Sequence, residues 1–446
     1  MNNKFKNKKV LIFGLGLNQG GVGSAQFFAN EGSIVKVTDL KSKEILKPSL
    51  KQLKEFRNIS YTLGKHKYED INWADIIIRN PAIKDNNQYL KYALNKGKRV
   101  ETDFSIFLDF ANQKKIIAIT GTKGKSTTAS LIYEAIKESG KKVIFAGNIG
   151  KSILNTLPYL SENPWIVVEI SSFQLQSLKE KIFTPKIAVI TNIYPDHLNW
   201  HTSMEEYIQA KKMVAINQTA EDFLVIPCSG GFFNKEFLQG IKSKLVDFCT
   251  SCDRDISKLL EETKLPLAGT ANKENYAAAF SVCDILGIDR KTVIKAFKKF
   301  KGSEFRMQLL GTFGGVGIFN DSTATNPIAT MAALQTLGSF NIILITGGMN
   351  KGMDYTKYAT AVSKSVKKVF FLEGDATEEI KKYLNQDLIA DTYNNLEKLL
   401  IDVKKEARSG SVILFSPAAT SFNLFQNEFD RGRKFNEAVR KVFRNA

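Results

Sequence analysis

Lys115-Ile116-Ile117-Ala118-Ile119-Thr120-Gly121-Thr122-Lys123-Gly124-Lys125-Ser126-Thr127-Thr128 is the stretch that decides the fold. Its apolar run, Ile116 to Ile119, predicts a buried strand. The run breaks at Gly121, and a helical pattern starts at Ser126 and continues through Leu131, Ile132 and Ile136. Strand, glycine-rich turn, Gly-Lys-Ser and helix make the layout of a phosphate-binding loop. In that layout backbone N–H groups and the positive end of the helix dipole face the phosphates. Lys125 would reach the β/γ-phosphates and Ser126 would ligate Mg²⁺. The general pattern places a glycine at position 119, and this chain has Ile119 there, with Gly121 closer in. The loop is shorter than the general type.

Composition bounds the rest. The chain has 446 residues, room for about two to four domains. With 43% hydrophobic and 24% charged residues it has the balance of a globular protein. Runs such as Ile342–Ile345 are far too short to span a bilayer. No apolar signal region follows the basic start, so a cytoplasmic protein is expected, with no membrane insertion. Cys249 and Cys252 form a lone Cys-x-x-Cys, and with only three histidines a zinc site lacks ligands. Reduced thiols are expected for these two and for Cys228 and Cys283. The net charge is +18, but no run of five or more basic residues occurs. A lysine-rich solvated surface that attracts polyanionic small molecules is expected, and no nucleic acid.

Along the chain, strands alternate with helices, which means parallel sheets with crossover helices. Val10–Phe13 is a strand, followed by a glycine-rich run from Gly14 to Gly23 and a helix from Ser24 to Asn30. Ile34–Thr38 is a second strand ending in Asp39, and Ile76–Arg79 a third, followed by Asn80-Pro81-Ala82. Gly14-x-Gly16 with the later acid imitates a dinucleotide fingerprint. It points to a nucleotide-like ligand, or to a turn that only closes a βα unit. Residues 103–115 lose the strand pattern, which places a first boundary there.

The middle of the chain adds strands at Val143–Ala146, Trp165–Ile170, Ile187–Asn192 and Phe223–Ile226. Glu169 ends an almost wholly apolar strand, and a buried acid needs a partner, either Mg²⁺ or a structural lysine. His197 follows a strand end, the edge where open α/β sheets bind ligands. Asn272 and Asn275 share a helix face and would orient a nucleotide or cap the helix. A second boundary fits Lys298–Ser303. Beyond it, Ile318–Asn320, Asn341–Ile345, Val369–Leu372 and Val412–Phe415 each end in a small or polar turn, and a helix carries Ala329, Met331 and Leu334. The expected fold is α/β in three domains: residues 1–111, Rossmann-like; 112–302, a phosphate-loop ATPase-like, mostly parallel sheet; and 303–446, a second Rossmann-like α/β domain.

Taken together, these motifs resemble the ATP-dependent Mur ligases, amide-bond-forming enzymes of peptidoglycan precursor synthesis, and thus of cell-wall biogenesis, cell shape and division. The resemblance rests on Gly-Thr-Lys-Gly-Lys-Ser-Thr (121–127), Gly-Asn-Ile-Gly (147–150), Glu-Ile-Ser-Ser-Phe-Gln-Leu (169–175), Asp-His (196–197) and Tyr-x-x-Ala-Lys (207–211), in the family's order. Asn-Asp-Ser-x-Ala-Thr-Asn (320–326) and Ser-Pro-Ala-x-x-Ser (416–421) are similar to the family type that joins D-glutamate to UDP-N-acetylmuramoyl-L-alanine. The resemblance implies an acid–amino-acid ligase that passes through an acyl phosphate and releases ADP and phosphate. It implies ATP held by Gly121, Thr122, Lys123, Gly124, Lys125, Ser126 and Thr127, with Asn272, Asn275, Arg306 and Asp321. It implies two Mg²⁺ sites from Ser126, Glu169, His197 and Lys211, the last as a carbamate, and a catalytic set of Lys125, Glu169, His197 and Lys211. For the UDP substrate it implies Leu17, Asn18, Asp39, Lys41, Asn148 and Ser171. For the amino acid it implies Thr325, Lys351, Ser421 and Phe422. A monomer is expected.

Three positions and one loop depart from the family pattern. Ala271 replaces a histidine, Thr323 a lysine and Ala82 a glycine, and the first glycine-rich loop is longer. These departures bear on which amino acid is joined more than on the reaction. The alternatives are a ligase for another amino acid such as L-glutamate, a folylpolyglutamate-synthase-like ligase, an NAD-binding oxidoreductase built on Gly14, Gly16 and Asp39, and a non-catalytic nucleotide binder.

Overall fold

The structure is a computed structural model. It describes residues 4–17, 19–147, 152–178, 181–196, 200–228, 232–249, 270–300, 302, 304–338, 340–350, 353–421 and 423–443. The chain divides into two compact units, Met1–Phe300 and Lys301–Ala446.

The first unit holds two sheets. One comprises β1 (Lys9–Phe13), β2 (Ile34–Asp39), β3 (Ile59–Leu63), β4 (Ile76–Arg79) and β5 (Arg99–Glu101), in the order β3-β2-β1-β4-β5. All its pairs are parallel. The order reverses between β1 and β4, the switch point where such sheets open a ligand crevice. The helix after β1, α1 (Gln19–Asn30), starts five residues before the expected Ser24. Two of its glycines, Gly21 and Gly23, serve close approach, while Gly14 and Gly16 before it take the positive φ of a turn. A Cβ on Gly21 would lie 2.2 Å from the Leu15 carbonyl oxygen, and one on Gly23 would lie 2.4 Å from Ser152 Cβ.

The second sheet comprises β6 (Ile116–Thr120), β7 (Val143–Gly147), β8 (Trp165–Glu169), β9 (Ile187–Ile190), β10 (Phe223–Pro227) and β11 (Lys244–Phe248), in the order β11-β10-β9-β6-β8-β7. It is parallel throughout. β6 is buried at every position, as its unbroken apolar run requires of a strand covered on both faces. Helix α2 (Lys125–Glu138) follows it, and α3 (Ser172–Gln176), α4 (Met204–Lys212) and α5 (Thr270–Ile285) come later. Residues 103–108, inside the first boundary stretch, form a helix capped by Thr102. Its Phe104, Ile106 and Phe107 are buried in a core that also holds Val10 and Ile12 of β1 and Ile116 and Ala118 of β6. That shared core makes the first two sheets one unit.

The second unit contains β12 (Gln308–Phe313), β13 (Val316–Asn320), β14 (Asn341–Gly347), β15 (Val366–Leu372), β16 (Ile389–Tyr393) and β17 (Ser411–Phe415), in the order β12-β13-β17-β14-β15-β16. Only β12 is antiparallel to its neighbour, and a register shift between Leu309 and Gly311 bends this edge strand. Helices α6 (Pro327–Leu337) and α7 (Glu428–Phe443) pack on this sheet's buried surfaces. Cys249 is disulfide-bonded, against the expectation of reduced thiols, while Cys228 and Cys283 are in no disulfide. Cys252 lies outside the described residues.

Ile119, at the position where a general phosphate loop has glycine, is fully buried and pairs with both Glu169 and Val189. Ile119→Ala is expected to cost about 2–5 kcal/mol and Ile119→Val only about 0.5–1.5 kcal/mol. Urea unfolding followed at the central sheet checks the difference.

Candidate functional site

The turn between β6 and α2 needs two backbone conformations that side chains rarely adopt. Gly121 has φ +145° and Gly124 has φ +83°. A Cβ would meet Thr191 Oγ1 at 2.0 Å from Gly121, and Asn275 Oδ1 at 2.2 Å from Gly124. Residues after β9 hold the turn from outside. Thr122 N donates to the Asn192 carbonyl (3.0 Å), and Lys123 N donates to Asn192 Oδ1 (2.8 Å). Thr191 Oγ1 and Asn192 Nδ2 both donate to the Lys123 carbonyl, at 2.5 and 3.0 Å. Lys125 folds back over the turn, donating to the carbonyls of Gly121 and Thr122 at 3.0 Å each. Asn275 accepts from Thr128 Oγ1 (3.3 Å) and donates to Asn272 (3.3 Å), so this pair braces the start of α2.

Glu169 closes one side. It is 1% exposed at the end of β8 and accepts a 2.6 Å hydrogen bond from Ser126 Oγ. A hydroxyl and a carboxylate side by side at the loop are hard oxygen donors of the kind Mg²⁺ takes. The residues present fit such an ion. Among the described residues no group of three or more His, Cys, Asp or Glu side chains gathers as a metal site, so the hydroxyl of Ser126 is part of what the ion would use here.

Lys211 closes the other side. The residue is 1% exposed, and its Nζ donates to the Gly121 carbonyl at 2.8 Å and lies 4.5 Å from the centre of the Tyr207 ring. Tyr207 and Lys211 sit one helical turn apart on α4, so they share a face. The Tyr207 hydroxyl meets Thr122 Oγ1 at 3.1 Å. Burial, helped by the nearby Lys125 and opposed by Asp196, pulls the Lys211 ammonium down to about 6. Lys212 points away, its Nζ donating to the Gln239 carbonyl at 2.7 Å. Of the two neighbouring lysines, Lys211 is the one that faces the phosphate loop.

Further residues stand around this centre. Ser171 caps α3 in a reciprocal arrangement with Gln174. His201, fully buried, meets Ser172 Oγ at 3.0 Å and stacks on Phe173. At the edge of the first sheet, Asp39 accepts from the N–H of Gly16 and of Lys41, at 2.8 Å each. It shapes the glycine-rich loop from beneath. Lys41 Nζ lies 4.0 Å from Asp39, and Leu17 is half-buried beside the loop.

In the second unit, the turns after β13, β14 and β17 gather at one sheet edge. Asp321 is 7% exposed and accepts from Ser416 Oγ (2.7 Å) and from the N–H of Met307 (3.1 Å). Burial raises its carboxyl to about 6, against the pull of Ser416, Met307, Arg306 and Arg431. Arg306 lies between Phe305 and Met307, which have φ +62° and +41°. Ser421 is 1% exposed, and its hydroxyl has no hydrogen-bond partner among the described residues. Thr325 follows Ala324 in the same turn and is half-buried. Asn18, Asn148, His197, Lys351 and Phe422 lie outside the described residues. Sequence reasoning missed Tyr207 as a prop for Lys211, Thr191 and Asn192 as the outer wall of the turn, and Arg431. Only Tyr207 had a signal, its helical spacing from Lys211.

Comparison with known proteins agrees with this arrangement. The chain matches the family descriptions "Mur ligase MurD-like, N-terminal domain" over residues 8–102, "Mur ligase middle domain" over 119–283, and "Mur ligase, glutamate ligase domain" over 305–419. It is 36% identical to a UDP-N-acetylmuramoylalanine–D-glutamate ligase of Borreliella burgdorferi (strain ZS7), over 98% of this chain and 99% of that one. It is 32% identical to the protein of the same name in Roseiflexus sp. (strain RS-1), over 97% of this chain and 98% of that one. The fold is similar to that of UDP-N-acetylmuramate-alanine ligase MurC from Thermotoga maritima, with a TM-score of 0.59 at 20% identity, covering 97% of this chain and 99% of that one. Short phosphate loop, buried lysine and three-sheet architecture have one common explanation: the chain belongs to the Mur ligase family.

Proposed function

We propose that this chain joins D-glutamate to UDP-N-acetylmuramoyl-L-alanine at the expense of ATP. Its relatives of 32–36% identity over nearly the whole chain carry the name of that ligase. The observation that carries the reading in the structure is the buried Lys211 amine held on the Gly121 carbonyl of the phosphate loop. A plain nucleotide-binding loop has no need of it.

The chemistry runs in two steps. The acceptor carboxylate attacks the γ-phosphorus of ATP, giving an acyl phosphate and ADP. The amine of the amino acid then attacks the acyl carbon, phosphate leaves with the bonding pair, and the amine loses a proton. Phosphoryl transfer depends on positioning and charge neutralisation. Lys125 is poised for this, because a phosphate entering the loop offers its Nζ better acceptors than the two carbonyls it now holds. Magnesium, held by Ser126 and Glu169 and on the second site by His197 and Lys211, would neutralise phosphate charge. A neutral Lys211 amine adds to CO₂ and releases one proton, and the resulting carbamate is an oxygen ligand where an ammonium would repel a cation. The UDP end is assigned to Leu17, Asn18, Asp39 and Lys41, the muramyl-alanine end to Asn148 and Ser171, and the amino acid to Thr325, Lys351, Ser421 and Phe422. The orphan Ser421 hydroxyl suits a ligand-facing role. Arg306 and Asp321 are assigned to ATP. Domain boundaries near residues 111 and 302 are part of the same proposal.

A second reading, a ligase for a different amino acid, has one observation in its favour. The Thr323 hydroxyl donates to the Phe305 carbonyl at 2.8 Å, so a position the family gives to lysine brings no charge.

Phosphate release is expected only when ATP, Mg²⁺, UDP-N-acetylmuramoyl-L-alanine and D-glutamate are all present. Release that ignores acceptor and amino acid refutes the ligase, and faster turnover with L-glutamate, D-aspartate or L-lysine favours the second reading. Lys211→Ala should lose activity, with partial recovery in bicarbonate or a short-chain acid; full activity without additive removes the carbamate. The folded chain keeps Lys211 neutral from about 6 up to the ordinary 10.5, where the unfolded chain holds the proton. This group's contribution therefore makes stability rise with pH across that window. In metal- and bicarbonate-free buffer, urea midpoints of the wild type should climb with pH more steeply than those of Lys211→Met.

A further inference from the structure

Arg431, in the first turn of α7, is fully buried. Its Nε donates to Ser322 Oγ (3.1 Å), one terminal nitrogen to the Ser322 carbonyl (2.7 Å), and the other to the Ala419 carbonyl (3.1 Å). Among the described residues it makes no direct ion pair, and burial draws its guanidinium down to about 9 against the charges of Glu428 and Asp321. A buried cation with no carboxylate in contact is expensive to keep. What it does there is join two turns. Ser322 belongs to the turn after β13 and Ala419 to the turn after β17, and these strands are neighbours. The planar fork reaches both sides at once, which the point charge of a lysine cannot do.

The next residue governs a third loop. A Cβ on Gly432 would lie 2.4 Å from the Phe305 ring. Phe305, 2% exposed, fills that space from a left-handed backbone. Its carbonyl accepts from both the N–H (3.0 Å) and the hydroxyl (2.8 Å) of Thr323. Arg306 follows, and the N–H of Met307 is tied to Asp321. Asn320 Nδ2 donates to the Gly432 carbonyl at 2.9 Å, locking the same turn of helix to the end of β13.

We propose that Arg431-Gly432 is the positioning element of this sheet edge. Arg431 sets the spacing between the Asp321 and Ser421 turns, and Gly432 seats Phe305 and so sets the loop that presents Arg306. The inference rests on the proposed function only in taking Arg306, Asp321 and Ser421 as ligand-facing.

The test is steady-state kinetics on the full chain with all three substrates varied, alongside hydrogen exchange. Gly432→Ala is expected to raise KM for ATP and for the amino acid by about 10- to 100-fold, with KM for the UDP acceptor unchanged. Adding Phe305→Leu, which makes room for the new Cβ, should recover most of the loss. Arg431→Ala should shift the same two constants and be partly restored by ethylguanidinium but not by ethylammonium. Exchange at the Met307 amide should accelerate in both variants whatever the substrates are, which separates failure of this proposal from failure of the ligase assignment. Unchanged KM values and unchanged exchange in folded Gly432→Ala overturn the proposal, as does a loss shared equally by all three substrates. If Gly432→Ala does not fold, Arg431→Lys is measured in its place, and the same outcomes support or overturn the proposal.

Discussion

One carbonyl organises the centre of the first unit. The Gly121 oxygen, exposed by a backbone that only glycine adopts easily, accepts from Lys125 and from Lys211. Two amines converge on one small dipole. Burial first, and the charge of Lys125 second, make the deeper amine give up its proton more readily. The arrangement is tolerable because α4 is docked independently. Tyr207 meets Thr122, and Glu206 accepts from Gln176 of α3 at 2.8 Å. The outer wall of Thr191 and Asn192 then keeps the turn from relaxing. Rigidity here comes from many neutral hydrogen bonds around a few charges, the condition under which a loop can neutralise charge without first reorganising.

The second unit follows a different logic. Its sheet edge is assembled from turns that carry strain at Phe305, Met307 and Ala418, all non-glycine residues with positive φ. Such residues persist where the surroundings over-determine them. Thr323, Asp321, Gln308 and the first turn of α7 supply that surrounding. A helix near the end of the chain thus governs loops that begin more than a hundred residues earlier, as the Asn320–Gly432 and Ser322–Arg431 hydrogen bonds illustrate.

Strands buried on both faces were legible as unbroken apolar runs: β1, β4, β6, β8, β14 and β17. Most edge strands were not, with β7 and its Val143–Ala146 run the exception. Ile-Ser-Tyr-Thr-Leu in β3 and Arg-Val-Glu in β5 mix polar residues into short segments, and β11 and β12 do the same. The start of α1 was missed because glycines that permit close packing look like glycines that permit a turn. At the site, the phosphate loop, Glu169 and the Tyr-x-x-Ala-Lys segment were legible because their chemistry is local in sequence. The choice of Lys211 over Lys212 depends on which face α4 presents to Gly121, a contact between residues ninety apart. Arg431 sits in a stretch with four other charged residues between Glu428 and Lys434, and nothing local marks it as buried.

The bent strand β12 bears on how copies of this protein meet one another. An edge strand offers a row of unpaired backbone groups to any neighbour, and a sheet of this size is a template for unwanted pairing. The register shift at Leu309–Gly311 breaks that row, and Gly311 at φ +151° turns the strand out of line. Leu309, 45% exposed, would otherwise be an adhesive apolar spot on a straight edge. The bulge guards against edge-to-edge association in a crowded solution, a protection that lies in backbone shape and is indifferent to salt and pH.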